Sequence, residues 1–209
     1  HCCDESCSEW AFFVLTPIIP MNGTERLVEA YYRQKGHFTA TDVKVENGNN
    51  RQFDILTYDS KSKEFYHVEV SVTHGLNWIR SLDLISVEMQ FKFFGSPKNK
   101  RPGNSRTDHA KGKTYLGSIK STYSKFGIDF EKINRVWCTW HLTGEEHARM
   151  EEWKNEMAQQ YNLSPDRFHV LQFRDEVLAS LLNNIGTSNY DDDLLRTISL
   201  IGQRQKQTT

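Results

Sequence analysis

The chain has 209 residues, of which 37% are hydrophobic and 25% charged, and this is the composition of a globular protein that can form one ordinary domain with a core. No run approaches the ~20 apolar residues of a membrane-spanning helix, so no membrane partner is expected. The formal net charge of −1 does not by itself indicate nucleic-acid binding, and the absence of a disulfide pattern and of a secretory signal favours a cytoplasmic, intracellular location.

The first part of the chain predicts a helix followed by a three-strand meander. Residues 1–20 are expected to be a leader or an appended segment, and residues 21–209 a single α/β domain. Thr24 is the predicted cap of a helix over Glu25–Lys35 that Gly36 ends. Strands are predicted over residues 37–46, 51–58 and 65–73, and the turn signals "NGNN" and "DSKSK" separate them.

The remainder alternates between helices and strands. A helix is predicted over residues 80–94, a basic loop over about 96–127 with a helix in part of 110–125, and a buried strand over 134–142. A charged helix over 143–161, a strand over 167–173 and two further helices, the last near 191–202, complete the chain. A meander followed by crossover units predicts a mixed α/β sheet with helices on its faces.

Two carboxylates interrupt the second and third strands. Because side chains alternate between the faces of a strand, Glu69 shares the polar face of its strand with His67 and Ser71, while Asp54 shares a face with Leu56, and Phe53 shares the other with Ile55. Antiparallel pairing about the turn near residues 61 and 62 brings Asp54 within about one residue of Glu69.

Neighbouring carboxylates repel each other unless a cation joins them, and hard divalent ions prefer such oxygen ligands. The pattern therefore indicates a metal site. The alternative is that both acids face solvent or pair with nearby Lys or Arg side chains. Glu25, on the edge of the apolar stripe of the first helix, can supply a third oxygen, although a solvated first-turn Glu is equally consistent with its position.

The segments "ERLVEAYYRQKGHF", "FDIL" and "HVEVS" resemble the PD-(D/E)xK nuclease superfamily, especially its Holliday-junction-resolvase and restriction-endonuclease-like members. The resemblance implies a restriction-endonuclease-like core of helix, three-strand meander, helix and strand. It also implies a Mg²⁺ or Mn²⁺ site formed by Glu25, Asp54 and Glu69, with the carbonyl of Val70 as a further ligand.

One position departs from the family pattern. The family has a Lys two residues after the strand Glu, whereas this chain has Ser71, which cannot carry positive charge. Lys92 on the following helix is the first candidate to replace it, and Lys44 on the neighbouring strand is the second. The alternatives are that both are ordinary surface lysines or that the site is inactive.

A basic stretch follows the predicted site. Its candidate nucleic-acid-binding residues are Lys98, Lys100, Arg101, Arg106, Lys111 and Lys113. Glycines and prolines among them suggest a loop that orders on a phosphate backbone, with salt-sensitive and sequence-independent affinity. The alternative is a solvated charged surface.

Together these features predict a metal-dependent endonuclease that hydrolyses phosphodiester bonds of double-stranded or branched DNA. The second hypothesis is a catalytically inactive nuclease fold that binds nucleic acid or a protein partner, and Ser71 is the feature that favours it. Nucleases of this type often act as dimers, so a homodimer is among the expected partners. Trp137 and Trp140 are expected to pack in the core rather than to stack on bases.

Overall fold

The computed structural model describes residues 22–48, 50–72, 81–96, 114–186 and 190–207. The predicted leader (residues 1–20) and the six predicted nucleic-acid-binding residues lie outside these ranges. The order of elements is α1 (Gly23–Gln34), β1 (His37–Lys44), β2 (Gln52–Asp59), β3 (Glu64–Ser71), α2 (Leu82–Phe94), α3 (Leu116–Lys125), β4 (Asn134–Thr139), α4 (Gly144–Ala148), α5 (Met150–Tyr161), β5 (Phe168–Gln172), α6 (Ala179–Asn184) and α7 (Asp193–Gln207).

The strands form one mixed sheet in the order β1-β2-β3-β4-β5. The meander β1–β3 is antiparallel, with Asp59 opposite Glu64, as the turn at residues 61 and 62 predicts. β4 and β5 add in parallel to β3, because helices connect them. The predicted mixed α/β fold is therefore confirmed.

Helices cover both faces of the sheet. On one face, Val28 and Tyr32 of α1 pack on Ile55, Val68 and Val136, together with residues of α6 and α7. On the other face, α2, α3 and α5 pack in two clusters, with Trp137 and Trp153 buried in one of them. Trp137 is a core residue, as predicted, and Trp140 is half-buried against the α1 face.

The cap of α1 lies two residues earlier than the sequence predicts. Asn22, not Thr24, is the N-cap: its side-chain oxygen accepts from the backbone N–H groups of Thr24 and Glu25. Glu25 completes a capping box by accepting from the backbone N–H of Asn22. The prediction of Thr24 was wrong because Asn and Thr are both good caps and only the capping box decides between them.

The alternation predicted for β2 fails at its first residues. Ile55 packs on the α1 face, but the ring of Phe53 lies 4.2 Å from the ring of His67 on the opposite face. The β2–β3 ladder ends at the pair Ile55 and Val68, and Asp42, which neighbours Asp54 across the β1–β2 ladder, has φ +53°. The β1–β2 ladder has no pair at Asp42 and Asp54 and resumes at Val43 and Phe53, so a bulge-like interruption beside the end of the β2–β3 ladder reverses the face that Phe53 takes.

Two helical predictions need adjustment. The helix expected over 143–161 is divided at Arg149 into α4 and α5. The helix after β5 opens with a π-helical segment, Phe173–Leu178, before α6. α3 occupies residues 116–125 and buries Ile119 and Tyr123. This agrees with the prediction of a helix in part of residues 110–125 within the basic loop.

A candidate carboxylate and lysine site at one end of the sheet

One end of the sheet gathers the predicted site residues. β3, β4 and β5 are parallel, so their carboxyl ends meet at one edge, and the antiparallel β2 begins there. The charges of Asp54 and Asp42 act on Glu25, which places the first turn of α1 near this same end. Asp54 at the start of β2 and Glu69 near the end of β3 therefore share one end of the molecule with Glu25.

Asp54 and Glu69 lie side by side and are almost wholly inaccessible, with exposed fractions of 7% and 1%. Asp54 Oδ2 accepts a hydrogen bond of 2.8 Å from the backbone N–H of Val70, where the β2–β3 ladder has already ended. The Asp54 carboxylate thus accepts from a backbone N–H of β3 that has no backbone carbonyl of β2 to bond to. Since the N–H and C=O of one strand residue point the same way, the carbonyl of Val70 faces the Asp54 side.

Lys92 joins the two acids. Its Nζ contacts Glu69 Oε2 directly and lies 3.6 Å from Asp54 Oδ1. Lys92 sits in the last turn of α2, whose first turn is capped by Ser81 and whose end is formed by Gly95 in the left-handed conformation. The helix that packs on the sheet thus delivers a cation to the acidic pair, and Lys92 rather than Lys44 is the lysine that the described structure places there.

Burial and mutual repulsion shift the pKa values of the acids upward. Burial, followed by the charge of Glu69, raises the pKa of Asp54 to about 6. Burial also raises the pKa of Glu69, against the opposing effect of Lys92. Burial alone would lower the pKa of Lys92, but the charges of Glu69 and Asp54 outweigh it and raise that pKa. One ammonium group therefore stabilises two carboxylates that repel each other.

Glu25 lies within electrostatic range of this pair. Burial, followed by the charge of Asp54, raises the pKa of Glu25 to about 7. Its carboxylate is engaged in the capping box with Asn22. Of the three predicted metal ligands, the structure thus brings two together and places the third nearby. Among the described residues no cluster of three or more His, Cys, Asp or Glu side chains is arranged to hold a metal.

A buried chain of hydrogen bonds connects Glu69 to α3. Tyr123 Oη of α3 lies 2.5 Å from His67 Nδ1, and His67 Nε2 lies 2.8 Å from Glu69 Oε1. Burial holds the pKa of His67 well below its ordinary value, so the ring is neutral. Because Lys92 contacts Glu69 and favours its ionised form, His67 donates through Nε2–H and accepts from Tyr123.

Sequence reasoning assigned no task to His67 or Tyr123. The spacing of His67, two residues before Glu69 on the same strand face, was the available signal. The contribution of Tyr123 had no local signal, because only the packing of α3 on the sheet brings it to His67.

The donor set suits a hard divalent cation. Mg²⁺ is commonly held by one or two carboxylates with water completing its coordination, and Asp54, Glu69 and the carbonyl of Val70 offer oxygens of this kind. Glu69 Oε2 is in direct contact with the ammonium of Lys92. A cation bound at this oxygen would therefore share it with Lys92 or displace the ammonium.

Ser71 ends β3 and is half-buried beside Thr139 of β4. Thr139 is fully buried, and its Oγ1 has no hydrogen-bond partner within the ranges described. By strand alternation, the side chain of Ser71 lies on the same face of β3 as Glu69, at the position where the nuclease pattern has a lysine. The positive charge near Glu69 comes instead from Lys92 of α2.

Comparison of the chain with protein-family models, with curated proteins and with solved structures found no match. None of the helices in the described ranges has the length and apolarity needed to cross a bilayer.

Proposed function

We propose that the protein is a metal-dependent endonuclease of the PD-(D/E)xK type that hydrolyses phosphodiester bonds of DNA. The observation that carries this proposal is the contact of Lys92 with both Asp54 and Glu69 at the carboxyl end of β3. It supplies the acid, acid and cation set that the resemblance implies, although the lysine is carried by a helix rather than by β3.

In this proposal Asp54, Glu69 and the carbonyl of Val70 hold Mg²⁺ or Mn²⁺, and Glu25 stands close enough to act through water or by release from its cap. Bound there, the metal supplies Lewis-acid polarisation of the phosphoryl group and a lowered pKa for an attacking water. The ammonium of Lys92 donates to a phosphate oxygen or to that water and stabilises negative charge. His67 and Tyr123 fix the rotamer of Glu69, as hydrogen-bonded partners commonly do for metal-binding carboxylates.

The second candidate, a catalytically inactive nuclease fold, draws its support from Ser71. A serine at that position cannot stabilise the charge that develops on a phosphoryl oxygen. The position of Lys92 weakens this support, because a lysine contacts the acidic pair from another element.

A cleavage assay tests the proposal. The purified protein is incubated with supercoiled, linear, single-stranded and branched DNA and with RNA, in Mn²⁺, Mg²⁺ or EDTA. We expect cleavage of DNA that requires metal and falls at least about 100-fold in Asp54→Asn and Glu69→Gln, which corresponds to a barrier increase of about 2.7 kcal/mol or more. Glu131→Gln, which removes an exposed acid far from the site in sequence, is the matched control.

The outcomes separate the two candidates. Metal-dependent cleavage that disappears in both site variants but persists in the control supports the enzyme. Binding of DNA without cleavage in any metal supports the inactive module. A folded protein that neither binds nor cleaves any of the substrates overturns both.

A further inference from the structure

A second charged cluster lies at the same end of the sheet as the carboxylate pair. His141 follows β4, and Arg174 and Asp175 belong to the π-helical segment that follows β5. Ser71 of β3 pairs with Thr139 of β4, which pairs with Gln172 of β5. The cluster therefore lies at the same end of the sheet as the end of β3, two strands away from it.

The cluster holds an arginine in a fixed orientation. Arg174 Nε donates to Asp175 Oδ1 at 2.6 Å, and Nη2 donates to Asp175 Oδ2 at 3.0 Å, which is a two-point ion pair. The backbone N–H of Arg174 donates to the carbonyl of Trp140 at 3.0 Å and ties the segment to the end of β4. The hydrogen bonds from Arg174, followed by the bond to His141 and the Arg174 charge, hold the pKa of Asp175 below its usual range.

His141 supports the same carboxylate. Its Nδ1 lies 2.8 Å from Asp175 Oδ2, and Arg174 Nη2 lies 3.0 Å from that ring nitrogen. The Asp175 carboxylate is thus contacted by both Arg174 and His141. The guanidinium of Arg174 cannot rotate without breaking its two bonds to Asp175. Within the described ranges the Nη1 atom of Arg174 makes no hydrogen bond to the protein, and the side chain is 47% exposed. An orientated, half-exposed guanidinium with free donors is suited to a phosphate oxygen.

We propose that Arg174, held by Asp175 and His141, binds a backbone phosphate of the nucleic acid whose scissile phosphate lies at the Asp54 and Glu69 pair. The proposal deepens the proposed function and rests on it for the substrate class. Arg174 is a binding residue in this scheme, and Asp175 and His141 are positioning residues.

The test measures binding without cleavage. The full chain in EDTA, and separately in Ca²⁺, is titrated into a fluorescently labelled DNA duplex and a labelled single strand, and the dissociation constant is followed by anisotropy from 50 to 300 mM salt. Arg174→Gln is expected to weaken binding several-fold, equally for unrelated sequences, and to reduce the slope of log affinity against log salt by about one. Arg149→Gln, which removes another exposed, ion-paired arginine, is the matched control.

Further variants separate a phosphate contact from a merely structural ion pair. Arg174→Lys keeps the charge and is expected to retain most of the salt slope while losing part of the affinity, since an ammonium lacks the fork that Asp175 orientates. His141→Gln is expected to weaken binding with the slope unchanged. Thermal unfolding of each variant identifies any that are not folded, and the anisotropy comparison is made among the folded ones.

The results that overturn the inference are defined independently of cleavage. If folded Arg174→Gln binds with the affinity and salt slope of the native chain, or if the native chain binds no nucleic acid in either buffer, Arg174 is not a phosphate contact. If binding depends on Arg174 but no metal supports cleavage, the inference stands and the proposed catalytic activity falls.

Discussion

His67 Nε2 and Glu69 Oε1 lie 2.8 Å apart in a hydrogen bond, and both side chains are completely buried. The bond fixes one oxygen of Glu69 while Lys92 takes the other, so the orientation of this carboxylate is determined from two sides. A candidate metal ligand is thus held in place before any ligand arrives, which is what a preorganised site requires.

Replacing His67 by Phe is expected to destabilise the fold by about 2–4 kcal/mol. The change leaves Glu69 Oε1 and the Tyr123 hydroxyl without partners in a buried region, and each such group costs about 1–3 kcal/mol. His67→Gln offers one donor and one acceptor in similar places and should cost less. Urea unfolding followed by circular dichroism measures both changes.

The exposed His147 on α4 provides the control for this comparison, and His147→Gln should unfold at the same urea concentration as the native chain. Equal stability of His67→Phe and the native protein would show that the buried chain from Tyr123 to Glu69 contributes nothing.

Replacing Lys92 by Met should destabilise the metal-free protein by about 3–5 kcal/mol, because it leaves buried carboxylates without a counter-charge. If the acids form a cation site, Mn²⁺ should restore much of this loss, and the melting temperature of Lys92→Met should rise with Mn²⁺ more than that of the native chain. Differential scanning calorimetry with and without EDTA measures both effects.

Lys120→Met is the matched control, since its ammonium lies 4.6 Å from the centre of the Phe130 ring rather than against an acid. A Mn²⁺ effect of the same size in both variants would argue against a metal site at Asp54 and Glu69.

The pH dependence of stability should distinguish Asp54 from an ordinary surface acid. Its folded pKa of about 6 lies above the ordinary value of 3.8, so the folded state binds this proton more tightly than the unfolded state does. The contribution of Asp54 is therefore fully present below about pH 4 and is lost as pH rises through about 6. In metal-free buffer, Asp54→Asn should gain stability relative to the native chain across this range.

The difference between the two unfolding free energies, measured from pH 4 to 8, removes the contributions of other titrating groups such as His67, whose lowered pKa acts with the opposite sign. A difference that is flat across the range would contradict the raised pKa. Added Mg²⁺ should stabilise the native chain more at pH 8 than at pH 5, since protons compete with the metal for the carboxylates.

Gly95 ends the helix that carries Lys92, and alanine there should be destabilising. Its φ is +66°, and an added Cβ would lie 2.6 Å from the backbone N of Leu116. A loss of more than about 1 kcal/mol is expected from the strained conformation alone. Gly117→Ala in the first turn of α3, where a Cβ meets nothing within 4 Å, is the control and should be neutral or stabilising.

Much of this arrangement follows from local rules in the sequence. Strand alternation places Glu69 with His67 and Ser71, and the polar turn at residues 61 and 62 sets the register that brings Asp54 beside Glu69, just beyond the last pair of the ladder. The apolar stripe of α1 correctly predicts its packing through Val28 and Tyr32. These features depend on spacings of two to four residues along the chain, which are the spacings that a pattern records.

The parts that escaped prediction depend on contacts between distant segments. Tyr123 reaches His67 across 56 positions of sequence, and Lys92 could be named as a candidate but not distinguished from Lys44 without the packing of α2 on the sheet. Phe53 departs from the alternation because a ladder ends beside it. The helix divides at Arg149, where the sequence has no glycine or proline that would predict a break.

The lysine of the acidic pair is carried by a helix, whereas the acids are carried by neighbouring strands of one sheet. Positive and negative charge therefore belong to different secondary-structure elements. A slide of α2 by one ångström along the sheet would alter the strength of their attraction while leaving the spacing of the carboxylates untouched. Substitutions at the interface between α2 and α5, far from any reacting atom, thus offer a way to tune the site mechanically.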